Sequence, residues 1–188
     1  MSLPADDAGA VLINVAFDRR SRRFGAGYGD FLLHMARYIE RLHRRGHAVR
    51  FASHMPSDEK FLTDLEREFA LKLEVERLHS MDLEQGYQVY RDAALVVGTR
   101  GHATMIPFGL GTPVLSLMSH PKMRYFLEDI GRLEWGVELS EPDLGDVVFE
   151  KSVTILDAAA RVRQEIAPLQ LPLLEAVSGA AAGFLARV

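Results

Sequence analysis

Two apolar segments in the middle of the chain each end in small residues followed by basic ones. Residues 93–97 lead into the letters GTRGH, and residues 114–117 lead, one residue on, into SHPK. Arginine binds carboxylate and phosphate groups through paired hydrogen bonds, and histidine gains or loses a proton near neutral pH. The pattern predicts a site for a small, multiply charged anion, such as a phosphate or a phosphorylated carboxylate.

A third basic segment follows the first apolar segment of the chain, residues 11–17. It carries four arginines in one loop: Arg19, Arg20, Arg22 and Arg23. A run of charges is often simply solvated, so one or two of these side chains are expected to reach an anion.

Alternation of apolar strands with amphipathic helices predicts an α/β fold with a Rossmann-like, doubly wound parallel sheet. The strands are expected near residues 11–17, 48–53, 71–76, 94–97 and 114–117, with a sixth at 135–139. Asp30 and Ser57 are expected to begin the first two helices, and Gly46 to close the first. Pro168 and Pro172 are expected to divide the C-terminal helix.

Strand order explains why the basic segments matter together. In a sheet of order 3-2-1-4-5-6, strands 1 and 4 are neighbours, and ligands bind at their carboxyl ends. The loops after strands 1, 4 and 5 would then meet at one crevice. The predicted binding residues are Arg19, Arg20, Gly98, Thr99, Arg100, Gly101, His102, His120 and Lys122. Gly98 and Gly101 are expected to let the backbone approach a ligand.

Composition limits the functions that fit. The 188 residues suit one domain, expected over residues 5–188, with residues 1–4 a cloning remnant or disordered tail. The net charge of −4 disfavours nucleic acid as a partner. Cysteine is absent, no metal-ligand spacing occurs, and no segment has the length of a membrane span. A cytoplasmic location is expected, either free or peripheral at the inner face of the membrane.

Residues 93–131, AALVVGTRGHATMIPFGLGTPVLSLMSHPKMRYFLEDIG, resemble the signature region of the polysaccharide pyruvyl transferase family. In that family a hydrophobic strand leads into an Arg-x-His-Ala segment, a Gly-x-Pro strand and a Lys-x-Arg/Lys helix. The resemblance implies one half of a GT-B-like two-domain architecture, namely the C-terminal, donor-binding half. A separate N-terminal half would then supply most contacts to the acceptor.

The resemblance also implies a reaction. A pyruvyl group would pass from phosphoenolpyruvate to two hydroxyls of a sugar, in a cell-surface polysaccharide or its lipid-linked precursor, forming a ketal and releasing phosphate. Arg100 would pair with the donor's carboxylate or phosphate, His102 would move the proton, and Lys122 would neutralise the departing phosphate. No cofactor beyond the donor substrate is implied.

Two other functions remain open at the level of sequence. The chain could be the nucleotide-sugar-binding half of a GT-B glycosyltransferase, with Glu134 or Glu138 holding the ribose. It could also be a non-catalytic anion-binding module that works beside a partner chain. A dinucleotide site is disfavoured, because the letters FGAGYG lack the G-x-G-x-x-G spacing.

Overall fold

The computed structural model describes residues 9–18, 24 and 27–185, with side chains as far as Ser178. The predicted site residues Arg19 and Arg20, together with Arg22, Arg23 and residues 1–4, lie outside the described residues. Everything below concerns the described part of the chain.

Six parallel strands form one sheet in the order β3-β2-β1-β4-β5-β6. They are β1 Val11–Asn14, β2 Val49–Ser53, β3 Glu74–Arg77, β4 Leu95–Gly98, β5 Val114–Met118 and β6 Gly136–Glu138. The predicted order and the predicted adjacency of strands 1 and 4 are both confirmed. The central strands β1, β4 and β5 are buried along their whole length, as expected for a parallel sheet covered on both faces.

Helices cover both faces of the sheet. They are α1 Tyr28–Arg44, α2 Glu59–Phe69, α3 Leu83–Arg91, α4 His102–Gly109, α5 Pro121–Asp129, α6 Leu144–Asp157 and α7 Ala159–Leu185. α1 packs against α2 and α6, and α3 packs against α4. Since crossovers between parallel strands are right-handed, β1-α1-β2-α2-β3 winds on one face and β4-α4-β5-α5-β6 on the other.

Several predicted boundaries differ from the structure, beginning with β1, which ends at Asn14 rather than near residue 17. β3 begins at Glu74 rather than near residue 71, because Leu71 and Leu73 pack against the core outside the strand. α1 begins at Tyr28, so Asp30 lies in its first turn instead of capping it. Ser57 lies in a short 3₁₀ turn, Pro56–Asp58, that precedes α2. Gly46 has the left-handed φ of 82° expected where α1 ends.

The prediction that two prolines divide the C-terminal helix is wrong. The helix is interrupted at Ala158, and α7 continues through Pro168 and Pro172. Ile166 is fully buried, and Leu169 and Leu173 pack against the same core. Burial of this apolar face offsets the hydrogen bonds that the prolines cannot donate.

Candidate anion-binding site at the carboxyl edge of the sheet

The loops after β1, β4 and β5 are joined directly to one another at Thr99. Its amide donates to the Asn14 carbonyl at 3.0 Å, and its hydroxyl accepts from the Ala16 amide at 2.7 Å. Its carbonyl accepts from the Ser119 hydroxyl at 2.7 Å. The loops after β1, β4 and β5, which the strand order predicted to meet, therefore do meet in the structure.

Thr99 and Gly98 both have structural roles at this edge. Thr99 is fully buried and its hydroxyl is used by Ala16. A Cβ at position 98 would lie 2.6 Å from the Cβ of Ala103, closer than carbon atoms pack. Glycine at this position allows α4 to pack tightly against the end of β4.

Gly101 lies against the side chain of Lys122, which follows β5. A Cβ at this position would lie 3.0 Å from Cε and 3.4 Å from Nζ of Lys122. Lys122 itself is exposed in the first turn of α5. His120 begins α5, where its Nδ1 accepts a hydrogen bond from the Lys122 amide at 3.2 Å. The structure thus places Gly101, His120 and Lys122 together at the carboxyl edge of the sheet.

Arg100 is held by two carboxylates. Its Nε and one terminal nitrogen, Nη2, donate to the two oxygens of Asp58 at 3.2 and 2.7 Å, and Nη2 also lies 2.5 Å from Asp18. Burial alone would lower the pKa of Arg100, but its hydrogen bonds and charge interactions with Asp58, and then with Asp18, outweigh that effect and raise it. Arg100 is therefore a permanent cation at this edge, 13% exposed.

Asp58 is the residue that the sequence analysis missed. Besides the two bonds from Arg100, this fully buried carboxylate accepts from the amides of Phe17, His54 and Met55 at 3.1–3.2 Å. It therefore connects the loops after β1, β2 and β4. The only local signal was Pro-Ser-Asp before a helix, which is typical of an ordinary helix start.

His102 is the first residue of α4 and is exposed at the same edge. Its side chain makes no hydrogen bond to any described residue. The amino end of a helix carries a partial positive charge that favours an anion nearby, although the amides of Ala103 and Thr104 already donate to the carbonyls of Arg100 and Gly101. His102 is thus placed where an imidazole can contact a bound molecule.

An aromatic cavity of about 310 Å³ lies beside these cations. Its wall is formed by apolar and aromatic side chains from the β3–α3 segment and from α3 and α4, including Leu78, Met81, Tyr87, Tyr90 and Ile106. His54 also lines it, with Nε2 2.6 Å from the Tyr90 hydroxyl. Because His54 and Arg100 both bond Asp58, the cavity and the cation are immediate neighbours.

Two further cavities, more polar in lining, lie at the other end of the edge. Their volumes of about 320 and 340 Å³ are similar to that of the aromatic cavity, and both are lined by Met118, Ser119 and Glu138. Glu138 ends β6 and forms an ion pair with Arg124 of α5. Glu134, the other predicted ribose ligand, precedes β6 and therefore lies at the opposite, amino edge of the sheet, away from these loops.

The protonation of His54 gives a prediction about stability. Burial, then the nearby Arg100, lowers the pKa of His54 to about 4. In the unfolded chain the value returns to about 6.5, so the unfolded state binds the extra proton between these pH values. Stability is therefore complete above about pH 6.5 and falls as the pH drops towards 4, by at most about 3 kcal/mol from this group.

Urea unfolding of wild type and His54→Gln at pH 7 and pH 4.5 measures the loss of stability that comes from protonation of His54. The loss of unfolding free energy on acidification should be smaller in His54→Gln, whereas the exposed His43→Gln should behave like wild type. An identical loss in all three proteins would contradict the buried, neutral state of His54.

The described residues contain neither a membrane-spanning helix nor a metal-binding group of side chains. None of the described helices is long and apolar enough to cross a membrane. No group of three or more histidine, aspartate or glutamate side chains in the described part of the chain has an arrangement that could hold a metal ion.

The chain is similar to solved structures of sugar-modifying enzymes. No protein-family model matches it, and no curated protein matches it. The E. coli heptosyltransferase WaaC with ADP matches with a TM-score of 0.51 and 18% identity, over 81% of this chain and 44% of that one. WaaC with ADP-2-deoxy-2-fluoro heptose gives 0.54 and 18%, over 81% and 45%.

A third structure, assigned as a UDP-N-acetylglucosamine 2-epimerase from Listeria monocytogenes, matches with a TM-score of 0.57 and 16% identity. The match covers 87% of this chain and 40% of that one. The chain therefore spans less than half the length of each of these structures. At such identities the likeness establishes the fold: a Rossmann-like α/β domain of the kind found within GT-B glycosyltransferases and related sugar-modifying enzymes.

Proposed function

We propose that this chain is the donor-binding half of a sugar-modifying transferase and that its donor is a nucleotide sugar. The observation that carries the proposal is the aromatic cavity, whose lining residue His54 lies near Arg100 and His102. A nucleotide needs both features within one site, an apolar wall for the base and cations for the diphosphate. A small phosphorylated acid needs only the cations.

The aromatic cavity fits a base in size and lining. Its volume of about 310 Å³ lies at the lower end of the range for small-molecule sites, and Tyr87 is half-buried in its wall. A ring stacked on tyrosine contributes about 1–3 kcal/mol. The diphosphate would then extend over the loops after β4 and β5, towards the exposed amino end of α4.

With the base in this position, Glu138 is too distant to hold the ribose. The cavity adjoins β2 and β3, whereas Glu138 ends β6, four strand spacings from β2 and so about 19 Å away. The polar cavities around Glu138 are better placed for the hydroxyl groups of the transferred sugar. Glu138 is therefore proposed as a sugar contact in place of the ribose contact expected from sequence.

Pyruvyl transfer from phosphoenolpyruvate is the second candidate, and one specific observation favours it. The resemblance of residues 93–131 to the pyruvyl transferase signature includes Arg100, His102 and Lys122, which all lie at the carboxyl edge. In this case Arg100 and Lys122 bind the donor's charged groups and His102 transfers the proton. The acceptor is a saccharide, free or lipid-linked, bound mainly by a second half, and the reaction is cytoplasmic.

Titration calorimetry with ADP, inorganic pyrophosphate and phosphoenolpyruvate separates the two candidates. A nucleotide-sugar half should bind ADP more tightly than phosphoenolpyruvate. Tyr87→Ala should weaken ADP by about 5- to 100-fold, the equivalent of 1–3 kcal/mol of stacking, and leave pyrophosphate unchanged. All three affinities should fall as salt rises, since the cations are near the surface.

Tyr125→Ala is the matched control, because it removes an exposed tyrosine from the other end of the edge. It should leave ADP affinity at the wild-type value. Binding of phosphoenolpyruvate with no preference for ADP would overturn the nucleotide proposal in favour of pyruvyl transfer. Absence of binding by all three anions at low salt would overturn both candidates.

A further inference from the structure

The two carboxylates on Arg100 differ in a way that points to different tasks. Asp58 is fully buried and Asp18 is 32% exposed. Asp58 accepts five hydrogen bonds, three of them from backbone amides, so it cannot move without leaving buried donors unpaired. Asp18 meets Arg100 through a single nitrogen, Nη2, and its side chain is partly exposed.

The orientation of the guanidinium shows where another anion can bind. Asp58 takes the side-on pair of donors, Nε and Nη2. The end-on pair of donors, Nη1 and Nη2, points away from Asp58. Among the described residues, Nη2 contacts Asp18 in addition to Asp58, and Nη1 contacts none. A phosphate oxygen pair matches the end-on fork of arginine. An anion that takes this fork must displace Asp18 but not Asp58.

We propose that Asp58 is a positioning residue, which orients Arg100 for the donor, and that Asp18 occupies the place on Arg100 that an anionic group of the donor takes when it binds. This inference rests on the proposed function, since it concerns anion binding at the same edge. Asp18 is then an internal competitor of the ligand. Its displacement would link anion binding to the loop that follows β1.

Simple charge effects predict something different, which makes the inference testable. Neutralising either carboxylate removes one negative charge next to the site, so Coulomb attraction alone predicts tighter anion binding in both variants. The positioning role of Asp58 predicts weaker binding when it is changed, because the Arg100 fork is no longer held. The two carboxylates should therefore have effects of opposite sign.

The experiment measures the affinity for inorganic pyrophosphate by calorimetry in Asp18→Asn, Asp58→Asn and the control Asp157→Asn. Asp157 ends α6 and pairs with Arg45, at the opposite edge of the sheet. We expect Asp18→Asn to bind about 3- to 10-fold more tightly than wild type, Asp58→Asn about 10-fold more weakly, and Asp157→Asn with unchanged affinity. Effects of the same sign at Asp18 and Asp58 would overturn the inference.

If Asp58→Asn does not fold, a second measurement tests whether Asp18 competes with the anion for Arg100. The gain from Asp18→Asn should vanish in an Arg100→Gln background, because Asp18 competes for that guanidinium. Persistence of the gain would overturn the inference, since it would reflect general electrostatics. If no variant, wild type included, binds pyrophosphate, the proposed anion site itself fails; if all bind but the signs agree, only the present inference fails.

Discussion

Replacing Asp58 by alanine is expected to lower the free energy of unfolding by about 3–5 kcal/mol, the usual range when one partner of a buried ion pair is removed. The change leaves the amides of Phe17, His54 and Met55 without their acceptor. It also removes the two hydrogen bonds that Arg100 donates to Asp58, so that this nearly buried guanidinium keeps only its contact with Asp18.

Urea denaturation measures this loss, and Asp18→Ala is the matched control. Both substitutions remove a carboxylate from the same guanidinium, but Asp18 is partly exposed and Asp58 is fully buried, so the loss of Asp18 should cost less than the loss of Asp58. Comparable losses in the two variants would mean that burial does not distinguish the carboxylates, and the positioning role of Asp58 would lose its basis.

The largest effect on activity is expected at His102, in a protein that supplies both halves of the cleft. If the donor is phosphoenolpyruvate, His102→Ala should cut turnover by roughly 100- to 10,000-fold, the range for loss of a general acid or base. Donor affinity should stay near wild type, because a proton transfer matters mainly in the transition state. The side chain is exposed and bonds to no described residue, so its removal should not disturb the fold.

Steady-state kinetics together with equilibrium binding test this prediction, with His43→Ala as the control histidine on the exposed end of α1. Arg100→Ala does not test donor binding alone. It would remove a cation from the site and break the network around Asp58 at once. Near-normal turnover of His102→Ala would exclude an acid–base role and leave His102 as a residue that begins a helix.

Local patterns were sufficient for the architecture of this protein. Continuous apolar segments such as Leu95–Gly98 and Val114–Met118 have few alternatives to buried parallel strands. Right-handed crossovers then restrict the order of the strands. Since loops at the carboxyl ends of adjacent strands must meet, the sequence alone also determined that Arg100, His102, His120 and Lys122 share one edge.

The role of each residue at that edge depended on partners that are distant in sequence. Asp58 and Arg100 are separated by 42 positions, and nothing in the segment around Asp58 distinguishes it from a residue at an ordinary helix start. For the same reason, the sequence did not predict three other features: the packing of Gly98 on Ala103, the hydrogen bond from Ala16 to Thr99 and the course of α7 through two prolines. Periodicity reports which face of an element is buried, but a hydrogen bond between loops depends on the exact approach of two chain segments, and only the tertiary structure decides it.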